Sequence, residues 1–252
     1  YGGTVNDQSL IRYLETLKAR NIKIMLYPMI FLDIAGKPWR GHITSSPEGV
    51  RRFFNHKQGY KNFILHYARL VKDRVDAFII GSEFKSLTKV KEENSFPAVL
   101  ELIDLAKKVK EILGPNVIVT YAADWSEYHH IEGGIYNLDP LWACDSIDVI
   151  ALDAYFPLTN SASSNIDIED IKSGYKSGEG FDYYYENGEK KPLSPESAWK
   201  NLEYWWKNYH INSDGTKTPW VPRSKKYGLQ NLGFLQLIRL QTSLIYFSTL
   251  NA

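Results

Sequence analysis

Cysteine is nearly missing from these 252 residues: Cys144 is the single one. That excludes an internal disulfide framework and any cysteine-built metal cluster. An excess of charge of either sign is missing too. Lys and Arg total 30 against 29 Asp and Glu, a formal net charge of +1, so nothing electrostatic points to nucleic acid or an anionic membrane surface. No apolar run reaches the roughly 20 residues needed to span a bilayer. The opening YGGTVNDQSL has no basic stretch followed by an apolar core, so no signal peptide is expected. It also lacks a Met, which predicts a start further upstream. No glycine-rich phosphate loop follows an apolar run, and Gly81-Ser82-Glu83 is not a G-x-S-x-G elbow. Carboxylates stop early, with none after Asp214.

Aromatic residues, by contrast, are plentiful: 14% of the chain, with seven Trp and seventeen Tyr. Many stand beside Gly, Pro or Asp, where turns are expected. Rings in loops stack on sugar faces in carbohydrate clefts, and rings in cores simply fill space. Both readings remain open on composition alone.

The apolar pattern alternates between two periods. Residues 8–20 carry Leu10, Ile11, Leu14 and Leu17 at helical spacing behind Asp7 as candidate cap. The run 22–30 reads as a buried strand, 60–74 as an amphipathic helix, 75–83 as a strand, and 96–114 as a helix stopped by Gly114-Pro115. Strands follow at 116–125 and 146–155, and a helix at 194–209, while 183–196 reads as a surface excursion. Strands that are continuously apolar and alternate with helices predict parallel βαβ units buried on both faces. The loops after the strands are long (31–56, 122–145, 156–193), and those before them short. That asymmetry predicts an α/β fold of the (β/α)8 TIM-barrel type, whose site is built at the C-terminal ends of the strands. A doubly wound sheet is the alternative.

At those ends stand Tyr27 and Asp33, then Glu83, then Asp124, Trp125 and Glu127, then Asp153 and Tyr155. A carboxyl closing the apolar run AFIIGSE is costly to place unless it has a task or a partner. Two readings of Glu83 stand: a general acid with a raised pKa, or half of an ion pair with Arg40 or Lys85. His129 and His130 lie beside Glu127 and Glu132, but adjacent loop histidines point to different sides, so a solvated loop is expected rather than a metal site. His66, mid-helix, is expected to pack.

Longer motifs carry a family likeness. GGTVND, LKARNIKIMLYPMIFLDI, PWRGHIT, YKNFILHYARL, VDAFIIGSEFKSLT, VTYAADWSEY, LDPLWACDSIDVIALDAYFPL, GFDYYY and TPWVPRSKK, in that order, resemble the TIM-barrel-like domain of gene transfer agent and phage tail proteins, over residues 1–226. That domain is itself similar to retaining glycoside hydrolases with paired glutamates. The resemblance implies that Glu83 is the acid/base at the end of the fourth barrel strand, with Ser82 where many relatives have Asn. It further implies that Asp153 and Tyr155 lie on the sixth strand, and that Trp39, Arg40, Asp124, Trp125 and Glu127 line a cleft for a glycan. No cofactor is implied. The partners implied are a glycan and other tail proteins, in a phage-like particle assembled in the cytoplasm.

Retaining hydrolysis needs a second carboxyl about 5–5.5 Å from the first. The resemblance places it after SKK (224–226), in a strand similar to IWFTEFGFP. Here the chain reads KYGLQNLGFLQLIRLQTSLIYFSTLNA instead. Removing one A from codons for Lys-Ile-Trp-Phe-Thr-Glu yields codons for Lys-Tyr-Gly-Leu-Gln, so residues 227–252 are expected to be an out-of-frame tail. The chain would then keep strands three to six of a barrel and lack the nucleophile. Three functions follow as expectations: a glycoside-hydrolase-like tail domain, the ancestral role, expected to be inactive here; a non-catalytic glycan-binding or structural tail piece; or a decayed remnant.

Overall fold

The computed structural model describes residues 5–36, 39–128, 130–133, 135–153, 155 and 167–176, and four short strands further on. Helix α1, Asp7–Lys18, buries Leu10, Leu14 and Leu17. Its cap is Asn6, whose side chain accepts from Ser9 N at 2.9 Å. The expected cap Asp7 lies inside the first turn, where its charge complements the helix dipole.

Strand β1, Met25–Leu26, is much shorter than the run 22–30 that the apolar pattern predicts. Among the described residues it is an edge strand of its sheet, bonded on one side only, and Pro28 has no N–H to extend the ladder. The segment 31–56 is not the plain loop expected. It holds a 3-10 turn, Arg40–His42, and helix α2, Pro47–Asn55. The signals for α2 were present: Ser46 caps Gly49 N at 3.2 Å, Pro47 sits in the first turn, and Val50 and Phe54 are buried four residues apart.

Helix α3, Tyr60–Leu70, leads into β2, Ala77–Ser82; helix α4, Pro97–Leu113, leads into β3, Ile118–Asp124. Gly114, at φ +86°, lets the chain leave α4 in a left-handed turn that a side chain would resist. Helix α5, Asp139–Trp142, precedes β4, Ala151–Asp153. The span 156–193, also expected as a loop, holds helix α6, Ile168–Lys176, and the hairpin of β5, Tyr183–Glu186, with β6, Glu189–Pro192. A second hairpin pairs β7, Tyr209–Ile211, with β8, Lys217–Pro219. The helix expected over 194–209 lies outside the described residues except for Tyr209, which opens β7, and so does the tail 227–252.

Strands β1 to β4 form one parallel sheet in the order β1-β2-β3-β4. A doubly wound sheet reverses its order at a switch point, and none occurs among the described strands. Each strand lies beside its predecessor, as in the wall of a (β/α) barrel. Alternation along the strands separates two faces. Leu26, Phe78, Ile80, Val119, Tyr121 and Ala123 pack with the helices in the main core. Met25, Tyr27, Ile79, Ala122 and Ala151 form a small separate cluster on the inner face. The helix-side core is dense, and each fully buried side chain such as Phe78 or Leu102 contributes about 1.5–3 kcal/mol. Part of the aromatic excess is spent there: the rings of Phe53, Phe54, Tyr60 and Phe84 contact one another, for example Tyr60 and Phe84 edge to face at 5.0 Å.

Two acids clasp the N-terminal ends of the strands. Asp76 accepts from Ile24 N at 2.8 Å, and Asp148 accepts from Val119 N at 2.7 Å and from Lys110 at 2.6 Å. His66 is not a packing residue: it is exposed on α3 and meets Asp7 at 3.1 Å.

Candidate functional site

The opposite, C-terminal ends of β1 to β4 gather a different kind of side chain. Strand β2 sets the geometry. Its Ile79 is in register with Thr120, but Ser82 with Ala122, so β2 carries one extra residue. Such a bulge re-aims the residues that follow it. Gly81 lies within it, and a Cβ there would stand 3.0 Å from the Tyr60 hydroxyl and 3.2 Å from the Phe84 ring. Glu83 follows at φ +49°, a left-handed conformation that costs a non-glycine residue about 1–2 kcal/mol. It persists because its surroundings hold it. Glu83 N donates to Ala122 O at 2.9 Å, and the next amide, Phe84 N, donates to the Tyr121 hydroxyl at 2.7 Å.

The Glu83 side chain is buried and doubly held. Its Oε2 accepts from Trp39 Nε1 at 2.5 Å and forms an ion pair with Arg40 Nη2 at 2.9 Å. Both donors come from the 3-10 turn and the residue before it. Trp39 can fold over that turn because the next position but one is Gly41, where a Cβ would lie 2.3 Å from the indole. Arg40, 5% exposed, is the hub. Its Nε donates to Ser82 Oγ at 2.6 Å and Ser82 O at 3.1 Å, and its Nη2 also donates to the Tyr27 hydroxyl at 3.1 Å. Of the two ion pairs open to Glu83, the one with Arg40 forms. Lys85 turns instead to Ser126, with Asp124 Oδ1 4.0 Å away.

Asp153, at the end of β4, completes this cluster. Its Oδ2 accepts from the Tyr27 hydroxyl at 3.1 Å and stands 3.7 Å from Arg40 Nη2, while Oδ1 has no hydrogen-bond partner. Burial first, then the neighbouring Glu83 charge, push Asp153 up to about 8. Burial, with Asp153 second, raises Tyr27 well above its ordinary value, so its hydroxyl remains a donor.

A second cluster sits at the end of β3. Glu127 is 1% exposed, and its Oε1 accepts from Thr88 Oγ1 and the Tyr121 hydroxyl, each at 2.8 Å; Oε2 accepts from Asp124 N at 3.1 Å. Burial raises it to about 7. Asp124 accepts from Ser126 N at 3.0 Å and from the Ser126 hydroxyl. Strand register sets Asp124 opposite Asp153, so the clusters adjoin.

The residues expected at the site thus divide. Trp39, Arg40, Glu83 and Asp153 come together. Asp124 and Glu127 form the neighbouring network, where Glu127 ties down a loop instead of lining a cleft. Trp125 is half-buried beside them. Tyr155 lies past the end of β4, 47% exposed. His130 is buried, with its ring 6.3 Å from that of Tyr136, so it is no solvated loop residue; burial lowers it to about 4. His129 lies outside the described residues, and no group of metal-ligating side chains occurs among those described. Tyr27 was visible only as a strand-end aromatic, and Thr88 and Tyr121 carried no signal, because their partners lie 39 and 6 residues away on another element or across a turn.

A family model for the GTA TIM-barrel-like domain matches residues 58–239, well over half of the chain. That range includes Glu83, both adjoining clusters' strand ends from β2 onward, and residues past 226. No curated protein matches the chain.

Proposed function

The chain belongs to the family of gene transfer agent TIM-barrel-like domains, and from that premise we propose that it engages a glycan as part of a phage-like tail. The sugar would lie over the C-terminal ends of β1 to β4, with Glu83, Asp153 and Arg40 meeting its hydroxyls and the half-buried Trp39 and Trp125 offering ring faces. Its other partners would be tail proteins of the same particle.

One observation carries the reading toward binding and away from hydrolysis. Glu83 Oε2 already accepts from the Trp39 indole and pairs with Arg40 Nη2 at 2.9 Å, and the second carboxyl at these strand ends, Asp153, stands 3.7 Å from that same nitrogen. Retaining hydrolysis needs about 5–5.5 Å between carboxyls and inverting hydrolysis about 6.5–9.5 Å, so that a sugar or water fits between them. Here both carboxyls are instead buried and committed to one guanidinium nitrogen.

The test is to incubate the 252-residue chain with purified cell-surface polysaccharide and soluble peptidoglycan fragments. Saturable binding without new reducing ends is expected. New reducing ends that vanish in Glu83→Gln would overturn the binding reading in favour of catalysis. The absence of a seventh-strand glutamate is attributed to a shifted frame from about residue 227. Resequencing the gene over those codons checks this: if no single added base restores a Trp-Phe-Thr-Glu strand, that explanation fails.

A further inference from the structure

We infer that Glu83 and Asp153 share one proton, resident on Asp153, and that this proton makes the pair a donor and acceptor for adjacent hydroxyls of a neutral sugar. The glycan half rests on the function proposed above; the proton does not.

Charge and geometry carry the argument. Two carboxyls, 6% and 2% exposed, reach the one Nη2 of Arg40, at 2.9 and 3.7 Å. The charged groups facing Asp153 are Arg40 from the 3-10 turn, Glu83 at the end of β2 and Asp124 across the β3–β4 register; Tyr27, after β1, is neutral. Lys85 is engaged with Ser126 near Asp124. One guanidinium thus serves two buried acids, and two like charges buried around a single cation cannot both ionise without a large desolvation cost. A proton resolves this.

Hydrogen bonding decides where the proton sits. Glu83 Oε2 accepts from the Trp39 indole and stands nearer to the shared Arg40 Nη2, both favouring a carboxylate. Asp153 stands farther from that same nitrogen, has the neutral Tyr27 hydroxyl on Oδ2, and has nothing on Oδ1. A buried oxygen without a donor is where a carboxylic O–H belongs. Its elevation to about 8 has the same origin, burial and the Glu83 charge. Protonated, Asp153 offers an O–H beside the Glu83 acceptor, a set that matches a diol; a sugar carboxylate would meet the Glu83 charge instead.

Two measurements on the full chain separate the halves. First, carboxyl 13C resonances of Asp and Glu are followed from about pH 4 to 10, against an ordinary Asp midpoint of about 3.9. One Asp transition in the alkaline range is expected, absent in Asp153→Asn and displaced downward by a unit or more in Glu83→Gln. An Asp153 that titrates as an ordinary carboxyl, or that ignores Glu83→Gln, overturns the shared proton. Second, chitohexaose is titrated calorimetrically at several pH values. Affinity should fall about tenfold per pH unit above the Asp153 transition, as a required proton demands, and Asp153→Asn should abolish that dependence. Affinity that is flat across the transition overturns the recognition role. No binding at any pH, with the 13C transition intact, overturns the glycan assignment and upholds the proton.

Discussion

Two buried acid clusters sit side by side at the same end of the sheet, and they solve burial differently. Glu127 is surrounded by neutral donors from nearby chain: Thr88, Tyr121 and the Asp124 amide satisfy both oxygens. Glu83 and Asp153 are gathered from distant chain around a cation, with contacts 44 and 126 residues apart, one backbone strained and one oxygen unpartnered. The first arrangement is complete in itself and acts as a structural clip. The second is incomplete, as a site awaiting a ligand should be.

The sharpest way to break the contrast is to remove its cation. Arg40→Leu leaves two acids buried without a counter-charge, a change of the kind that costs about 3–5 kcal/mol. A urea-unfolding midpoint within error of the parent would refute the hub role. Removing a donor from the clip should cost less. Tyr121→Phe strips one bond from Glu127 and another from Phe84 N, about 1–3 kcal/mol. Because the hydroxyl donates to a carboxylate, the loss should grow between about pH 5 and 8, as Glu127 ionises with a midpoint of about 7. Equal losses at both pH values would count against that.

The pH profile tests both clusters at once. Asp153 and Glu127, at about 8 and about 7, lie above their unfolded values of about 4. Their folded forms hold protons more tightly, so their contribution to stability is full below about pH 4 and is lost as pH rises to about 7–8. His130 works the other way. Lowered to about 4 from an ordinary 6.5, it contributes fully above about pH 6.5 and loses that contribution as pH falls toward 4. Between those limits the trends oppose; from about pH 6.5 to 8 only the carboxyl decline remains. Asp153→Asn should flatten most of it, and a decline of unchanged slope would contradict the assignment. The smallest effect is expected from an exposed pair. Arg51 makes a bidentate pair with Glu92 at 2.7 and 2.8 Å, yet Arg51→Ala should leave the thermal midpoint unresolved from the parent, since solvent screens it. A clear shift would show that surface charges matter here as buried ones do.

Much of the fold was legible. Buried helix faces at 7–18, 60–70 and 97–113 and apolar strands at 77–82, 118–124 and 151–153 follow from periodicity. Helix α2 was not read, because nine residues inside a long polar connection are easily taken for loop even with Ser46-Pro47 marking its start. Strand β1 was overread for the opposite reason: apolar residues on an edge need not be hydrogen-bonded as a ladder. At the site, Glu83 and Asp153 could be placed by their position at strand ends, and Trp39 and Arg40 by a family likeness.

The sequence alone determined the alternation of strands and helices, the family and the rim on which acids stand, because each depends on local periodicity or on motifs of contiguous residues. Tertiary structure alone decided which acids meet. A single extra residue in β2, one close approach at Gly81 and one left-handed Glu83 turn the strand end toward Arg40, and register brings Asp153 beside it. Protonation depends on burial and on charges a few ångströms away, and those distances exist only once the chain has closed on itself.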